Sequence, residues 1–292
     1  MSLEVALVAV VGLLVGAVSG IFGVGGGFLI VPVLHVLLGI PAELAVGAGC
    51  CQILGPATTS LLARRIRLEE LRLPLIVSGG LLLGAFAGGE LLHRAQEAQA
   101  VSLPSGAVPL VDILVLVVYL VLLLSLSVFS FWALDRLGRS GARLPAVLQV
   151  LSIPPRVSFP EYELGQMSIP LLTWSGMALG FLAGLLGMSG GLILVPAMVY
   201  VLGMPTQRAI RVSLIIVWIV ALESTVIHAW NGYIELELVV ALLLGGTLGA
   251  RFGSELGLQL RGRQLRRAFG WLLLLTAALI AVRLGVLLLV TG

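Results

Sequence analysis

Two glycine clusters and a handful of polar residues set inside apolar runs carry the chemistry of this chain. "SGIFGVGGGFLIVP" holds Gly23, Gly25, Gly26 and Gly27, and "GLLGMSGGLILVP" holds Gly187, Ser189, Gly190 and Gly191. Glycine admits positive φ and a tight reversal. A helix that starts after such a break aims its free N–H groups and the positive end of its dipole at whatever faces it, which suits a small anion. Gln52, Thr58 and Thr59 surround Pro56 in "GCCQILGPATTS"; they can donate to oxyanion oxygens or bond neighbouring helices. Glu223, in "ALESTVIH", lies deep in an apolar run. Desolvation favours a neutral carboxyl, so Glu223 is a candidate proton carrier. His228 is a candidate relay beside it or a structural residue near the interface. Arg251 stands four residues before Glu255, helical spacing for an ion pair; the alternative is a guanidinium that meets an anion.

No nucleophile-and-base arrangement accompanies these groups. His-Glu-x-x-His is absent from the apolar runs, and no Gly-Lys-Ser/Thr follows either glycine cluster. An intramembrane enzyme is therefore disfavoured, and neither a cofactor nor a metal site is expected. Cys50 and Cys51 are adjacent within an apolar run and imply no disulfide framework.

Positioning such groups falls to membrane helices. Hydrophobic residues make up 59% of the 292 and charged residues 11%, with a mean hydropathy of +1.15. A soluble domain carries about 25% charged residues, so there is too little polar surface here to cover a globule in water. The fold class expected is an all-α polytopic membrane protein. Apolar runs fall near 3–22, 28–38, 43–63, 73–92, 109–132, 170–187, 191–202, 208–230, 236–258 and 267–290. Two of them, 28–38 and 191–202, reach only about half-way through a ~30 Å hydrocarbon core. Each follows a glycine cluster. The N-terminus carries Glu4 and lacks a basic signal-peptide start, so 3–22 is read as a retained helix.

The chain repeats itself. At a shift of 164 positions Gly16, Gly20, Gly23, Gly26 and Gly27 fall on Gly180, Gly184, Gly187, Gly190 and Gly191, and Val31-Pro32 falls on Val195-Pro196. "GAFAGGEL" at 84–91 lies over "GARFGSEL" at 249–256 at a shift of 165. All 17 basic residues are arginine. If each broken segment enters and leaves by one face, the arginines at 64–72, 136–156, 208–211 and 261–267 collect on one side. Only Arg94, with Glu4, Glu97 and Glu235, falls on the other. The positive-inside rule makes the first side cytoplasmic and places both termini outside. The halves then begin from opposite faces. They are inverted repeats, 1–134 and 169–292, joined by a cytoplasmic linker at 135–168; each is a glycine-broken re-entrant hairpin followed by three transmembrane helices. Transporters use this architecture, with substrate near the midplane. The pI near 9.3 reflects this orientation and not nucleic-acid binding.

"GIFGVGGGFLIVPVL" and "GLLGMSGGLILVPAMVYVLGMP" resemble the paired signature segments of the sulfite exporter TauE/SafE (TSUP) family, and the likeness covers about 5–92 and 170–290. The resemblance implies eight spans and the movement of sulfite, sulfoacetate or related sulfur-containing anions across a bacterial inner membrane. The expected protein is thus a secondary transporter working by alternating access, with proton coupling resting on Glu223. An anion channel on the same scaffold is the alternative. Its partners are a small sulfur-containing anion and the bilayer, with a homodimer left open.

Overall fold

Apolar runs that meet no hydrogen-bonding solvent must close their backbone bonds internally, and here they do so as helices. The computed structural model describes residues 3–34, 40, 42–65, 67–100, 110–140, 153–185, 191–230, 232 and 234–291. The helices are α1 (Leu3–Phe22), α2 (Gly27–Pro32), α3 (Ala42–Ala63), α4 (Arg72–Ala100), α5 (Leu110–Ser140), α6 (Ile169–Leu185), α7 (Gly191–Tyr200), α8 (Thr206–Trp230), α9 (Leu236–Gln259) and α10 (Gly262–Thr291).

Among the described residues, five helices are long and apolar enough to cross a membrane: Leu44–Ala63, Leu68–Leu91, Thr206–Trp230, Leu236–Gln259 and Gly262–Val282. Shorter apolar helices lie at Ala6–Phe22, Leu116–Trp132 and Ile169–Leu185. These eight fall on the long apolar runs, and the two short runs hold α2 and α7, of 6 and 10 residues. The protein is a helical, multi-pass membrane protein. One element departs from the all-α expectation. In the linker, β1 (Arg156–Phe159) and β2 (Leu164–Ser168) pair antiparallel. Phe159, Tyr162, Leu164 and Met167 are buried in one cluster with Ile53 of α3, Val77 of α4 and Val212 of α8, so apolar burial holds this short hairpin on the bundle.

Two glycine seams organise the helices. Gly12, Gly16 and Gly20 of α1 lie against Leu242, Gly246 and Ala250 of α9, while Gly245, Gly249 and Gly253 of α9 lie against Ala9, Leu13 and Ala17 of α1. On the other seam Gly80, Gly84 and Gly88 of α4 meet the carbonyls of Thr173, Met177 and Phe181 in α6. Gly176, Gly180 and Gly184 of α6 return the contact to Val77, Leu81 and Ala85. A four-residue glycine spacing lets two backbones approach until one helix's carbonyls rest on the other's Cα atoms. The rising residue numbers match on both sides of each seam, so α1 runs parallel to α9 and α4 parallel to α6.

The central helices fix the remaining directions. Ser254 Oγ of α9 donates to Ser60 Oγ of α3 at 2.8 Å, and Thr247 faces Gly55, so α3 runs parallel to α9. Trp218 Nε1 donates to Thr58 Oγ1 at 2.9 Å and Arg64 Nη1 to Gln207 Oε1 at 3.1 Å, so α8 runs antiparallel to α3. Leu83, Phe86, Leu248, Phe252, Trp271 and Leu275 remain exposed on the outside of the bundle, where hydrocarbon replaces water as their neighbour.

Candidate functional site

After Phe22 the chain reverses through Gly23, Gly25 and Gly26, whose φ angles are +70°, +83° and +75°. A side chain at positive φ costs about 1–2 kcal/mol, so glycine is the residue that makes this turn cheaply. Gly26 caps α2, accepting from the N–H groups of Leu29 and Ile30, and Gly27 is the first residue of that helix. The break is pinned to α8: Ser213 Oγ donates to the Gly23 carbonyl at 2.8 Å. Gly25 packs on Val217 and Ile53. Gly191, which opens α7, presses so closely on the Val24 carbonyl that a Cβ there would overlap it. The first break and the start of α7 therefore touch. Gly187, Ser189 and Gly190 lie outside the described residues.

Beside this junction sit buried polar groups without partners. Both amide atoms of Gln52 are buried with no hydrogen bond, as is Ser19 Oγ. Gln52 lies against Gly246, and Pro56 lacks the N–H that would otherwise bond the Gln52 carbonyl. Each unmet buried group costs about 1–3 kcal/mol. Gln52 thus offers two donors and two acceptors to whatever enters. The threonines behave differently. Thr58 Oγ1 donates to Leu54 O at 2.7 Å and Thr59 Oγ1 to Gly55 O at 3.0 Å, so both hydroxyl protons are held by their own helix.

A cavity of about 360 Å³ opens beside the first half of α3 and the last half of α8, lined by Cys50, Glu90, Glu223, Ser224 and His228. The structure so brings Glu223 and His228 together, with His228 Nδ1 2.8 Å from the Ser224 carbonyl. Arg251 is not with them. It is 73% exposed on α9, with Nε 3.7 Å from Glu255 Oε1.

At the opposite ends of α3 and α8 lies a second cavity of about 630 Å³, lined by Arg64, Arg65, Arg67, Arg211, Glu70 and Glu161 among others. Arg64 follows α3 directly and is 2% exposed. Its Nη2 donates to the Gly20 carbonyl at 3.1 Å, three residues before the break. Burial and the neighbouring Arg211 lower the Arg64 pKa to about 10, which still leaves it cationic at neutral pH. In the sequence these arginines set orientation alone. Their count was visible; the burial of one of them was not.

The profile of the family described as "Sulfite exporter TauE/SafE" matches residues 8–280. The chain belongs to that family. A "Probable membrane transporter protein" of Xylella fastidiosa (strain Temecula1) is 36% identical over 106 residues, 36% of this chain and 41% of that protein. The chain therefore spans about two fifths of that relative's length. Over fuller lengths, "Probable membrane transporter protein YunE" of Bacillus subtilis is 22% identical, covering 89% of this chain and 90% of its own. YjnA of the same organism is 24% identical over 89% and 92%. No solved structure matches the chain.

The geometry sets the first break against the start of α7, with a polar cavity at either end of α3 and α8. Arg251 is set apart from that path. In Arg251→Gln, anion flux into proteoliposomes is expected to stay within about twofold of wild type and stability within about 0.5 kcal/mol, as for other exposed ion pairs. A larger loss of flux would bring Arg251 into the path.

Proposed function

We propose that the chain is a secondary transporter that exports sulfite or small organosulfur anions, such as sulfoacetate, across the bacterial inner membrane by alternating access. The observation that supports this reading is the contact of Gly191 with Val24, which sets the first break against the start of α7, midway along α3 and α8 between the Glu223 cavity and the arginine cavity. Transport then requires the junction to open toward one cavity at a time.

Helix direction supports inverted repeats. α1, α3 and α9 run one way; α4, α6 and α8 run the other, with α4 lying along α8 from the Glu70–Arg211 pair to the Glu223 cavity, so α1, α3 and α4 are antiparallel to α6, α8 and α9, their counterparts 164 or 165 positions later. The return of α2 supports a re-entrant hairpin: Ile30 and Leu34 are buried with Val8, Ala45 and Leu238, near the starts of α1, α3 and α9. With the arginine cavity cytoplasmic, both termini lie outside. An inside-negative potential then favours export of an anion by about 2.3 kcal/mol per charge per 100 mV. The channel reading has less support, because Gly23 to Gly27 and Gly191 are all buried.

Efflux of radiolabelled sulfite and sulfoacetate from proteoliposomes tests the proposal. Saturable flux above that of protein-free vesicles is expected; flux of neither anion overturns it, and single-channel currents would favour the alternative. Glu223 and His228 share the Glu223 cavity, which supports proton coupling there. Glu223→Gln is expected to flatten the pH dependence of sulfite flux while substrate exchange persists. An unchanged pH profile removes Glu223 from coupling.

A further inference from the structure

We propose that the arginine cavity is a capture site for the transported oxyanion, with the Glu70 carboxylate held in it as a displaceable stand-in. The proposal rests on the transporter reading above for the class of anion, a sulfite- or sulfonate-type group. Four arginines, Arg64, Arg65, Arg67 and Arg211, face three carboxylates, Glu69, Glu70 and Glu161, so the cavity carries excess positive charge. Arg211 Nη1 lies 3.0 Å from Glu70 Oε1, with the Glu70 side chain only 12% exposed. Pairing is incomplete on both signs: Arg64 Nε, Glu70 Oε2 and Glu161 Oε1 are buried without partners. A free oxyanion carries enough acceptor oxygens to engage Arg211 and Arg64 Nε together, in the charge-assisted geometry that favours guanidinium. Glu70 satisfies only the first.

The surroundings suit an exchange of one carboxylate for another anion. Tyr162 of the linker hairpin donates to the Glu70 main-chain carbonyl, so the backbone stays anchored while the side chain leaves. Arg64 in turn holds the Gly20 carbonyl at 3.1 Å. An anion on Arg64 stands at the foot of α1, next to the glycine break it must pass.

Isothermal titration calorimetry of the purified full-length protein with sulfite and with sulfoacetate, in low-salt gluconate buffer, reads the site. Arg211→Gln is expected to weaken binding at least about tenfold, the share of a lost charged hydrogen bond. Glu70→Gln keeps a side chain of the same size but removes the competing charge, and is expected to tighten binding about tenfold. A misfolded variant does not gain affinity, so this second result stands apart from any folding defect. Wild-type affinity in either variant overturns the proposal, as does a wild-type protein that binds neither anion. Flux is scored separately. Binding with this pattern but no transport keeps the site and removes the transporter reading; sulfite flux with KM unchanged in both variants keeps the transporter and removes the site.

Discussion

Gly84→Val is expected to leave no folded protein. Gly84 sits mid-seam on α4, where a Cβ would run into the Met177 carbonyl of α6, and Gly180 makes the matching contact with Leu81 in the other direction. Overpacking in a core where side chains can shift costs about 1–3 kcal/mol. Here the obstacle is backbone, and the only relief is to part the two helices along the whole seam. Every reciprocal contact from Gly80 to Gly88 is then lost together. Fluorescence-detected size exclusion in mild detergent should show aggregate or no protein. Gly79→Ala is the internal control: it lies on the same helix with nothing within 4 Å of an added Cβ, and should be neutral or stabilising by up to about 1 kcal/mol. A monodisperse Gly84→Val protein with wild-type melting would show that the seam does not hold the bundle.

Gln52→Leu is expected to raise stability and abolish most transport. Both amide atoms of Gln52 are buried and unpaired, a standing cost of about 1–3 kcal/mol that an apolar side chain of similar size removes. The melting temperature should rise by about 2–4 °C per kcal/mol recovered. Meanwhile an anion crossing the junction loses a charged hydrogen bond worth about 1.5–3 kcal/mol, so flux should fall roughly 10- to 100-fold. Stability and activity thus move in opposite directions. If Gln52→Leu lowers both, the amide is a structural group whose partner forms only in the folded bundle, and it leaves the transport path.

The architecture was largely legible because its signals are local. Helix lengths follow from runs of apolar residues, and the break follows from Gly23, Gly25 and Gly26, which all take positive φ. The polar residues were legible in type but not in role. In the sequence Thr58 and Thr59 can serve an anion or a neighbouring helix; in the structure each gives its proton to its own helix. In the sequence Arg251 stands at helical spacing from Glu255, and Arg64 is one of the arginines that set orientation. One is 73% exposed beside Glu255, and the other is buried against Gly20 and Gln207. The hairpin at Arg156–Ser168 is not legible in the sequence because its strands hold 4 and 5 residues, too few for a period to stand out.

By itself, then, the sequence determined that this chain is a bundle of membrane helices with a glycine break after Phe22, because hydrocarbon leaves no other outlet for backbone polar groups and glycine makes so sharp a turn cheaply. Tertiary structure decided which glycines pack and which turn, which arginine is buried, and that Gln52 and Ser19 are buried unpaired. Those outcomes depend on which helices become neighbours. Burial and hydrogen bonding are properties of pairs of distant segments, and no single stretch of residues carries them.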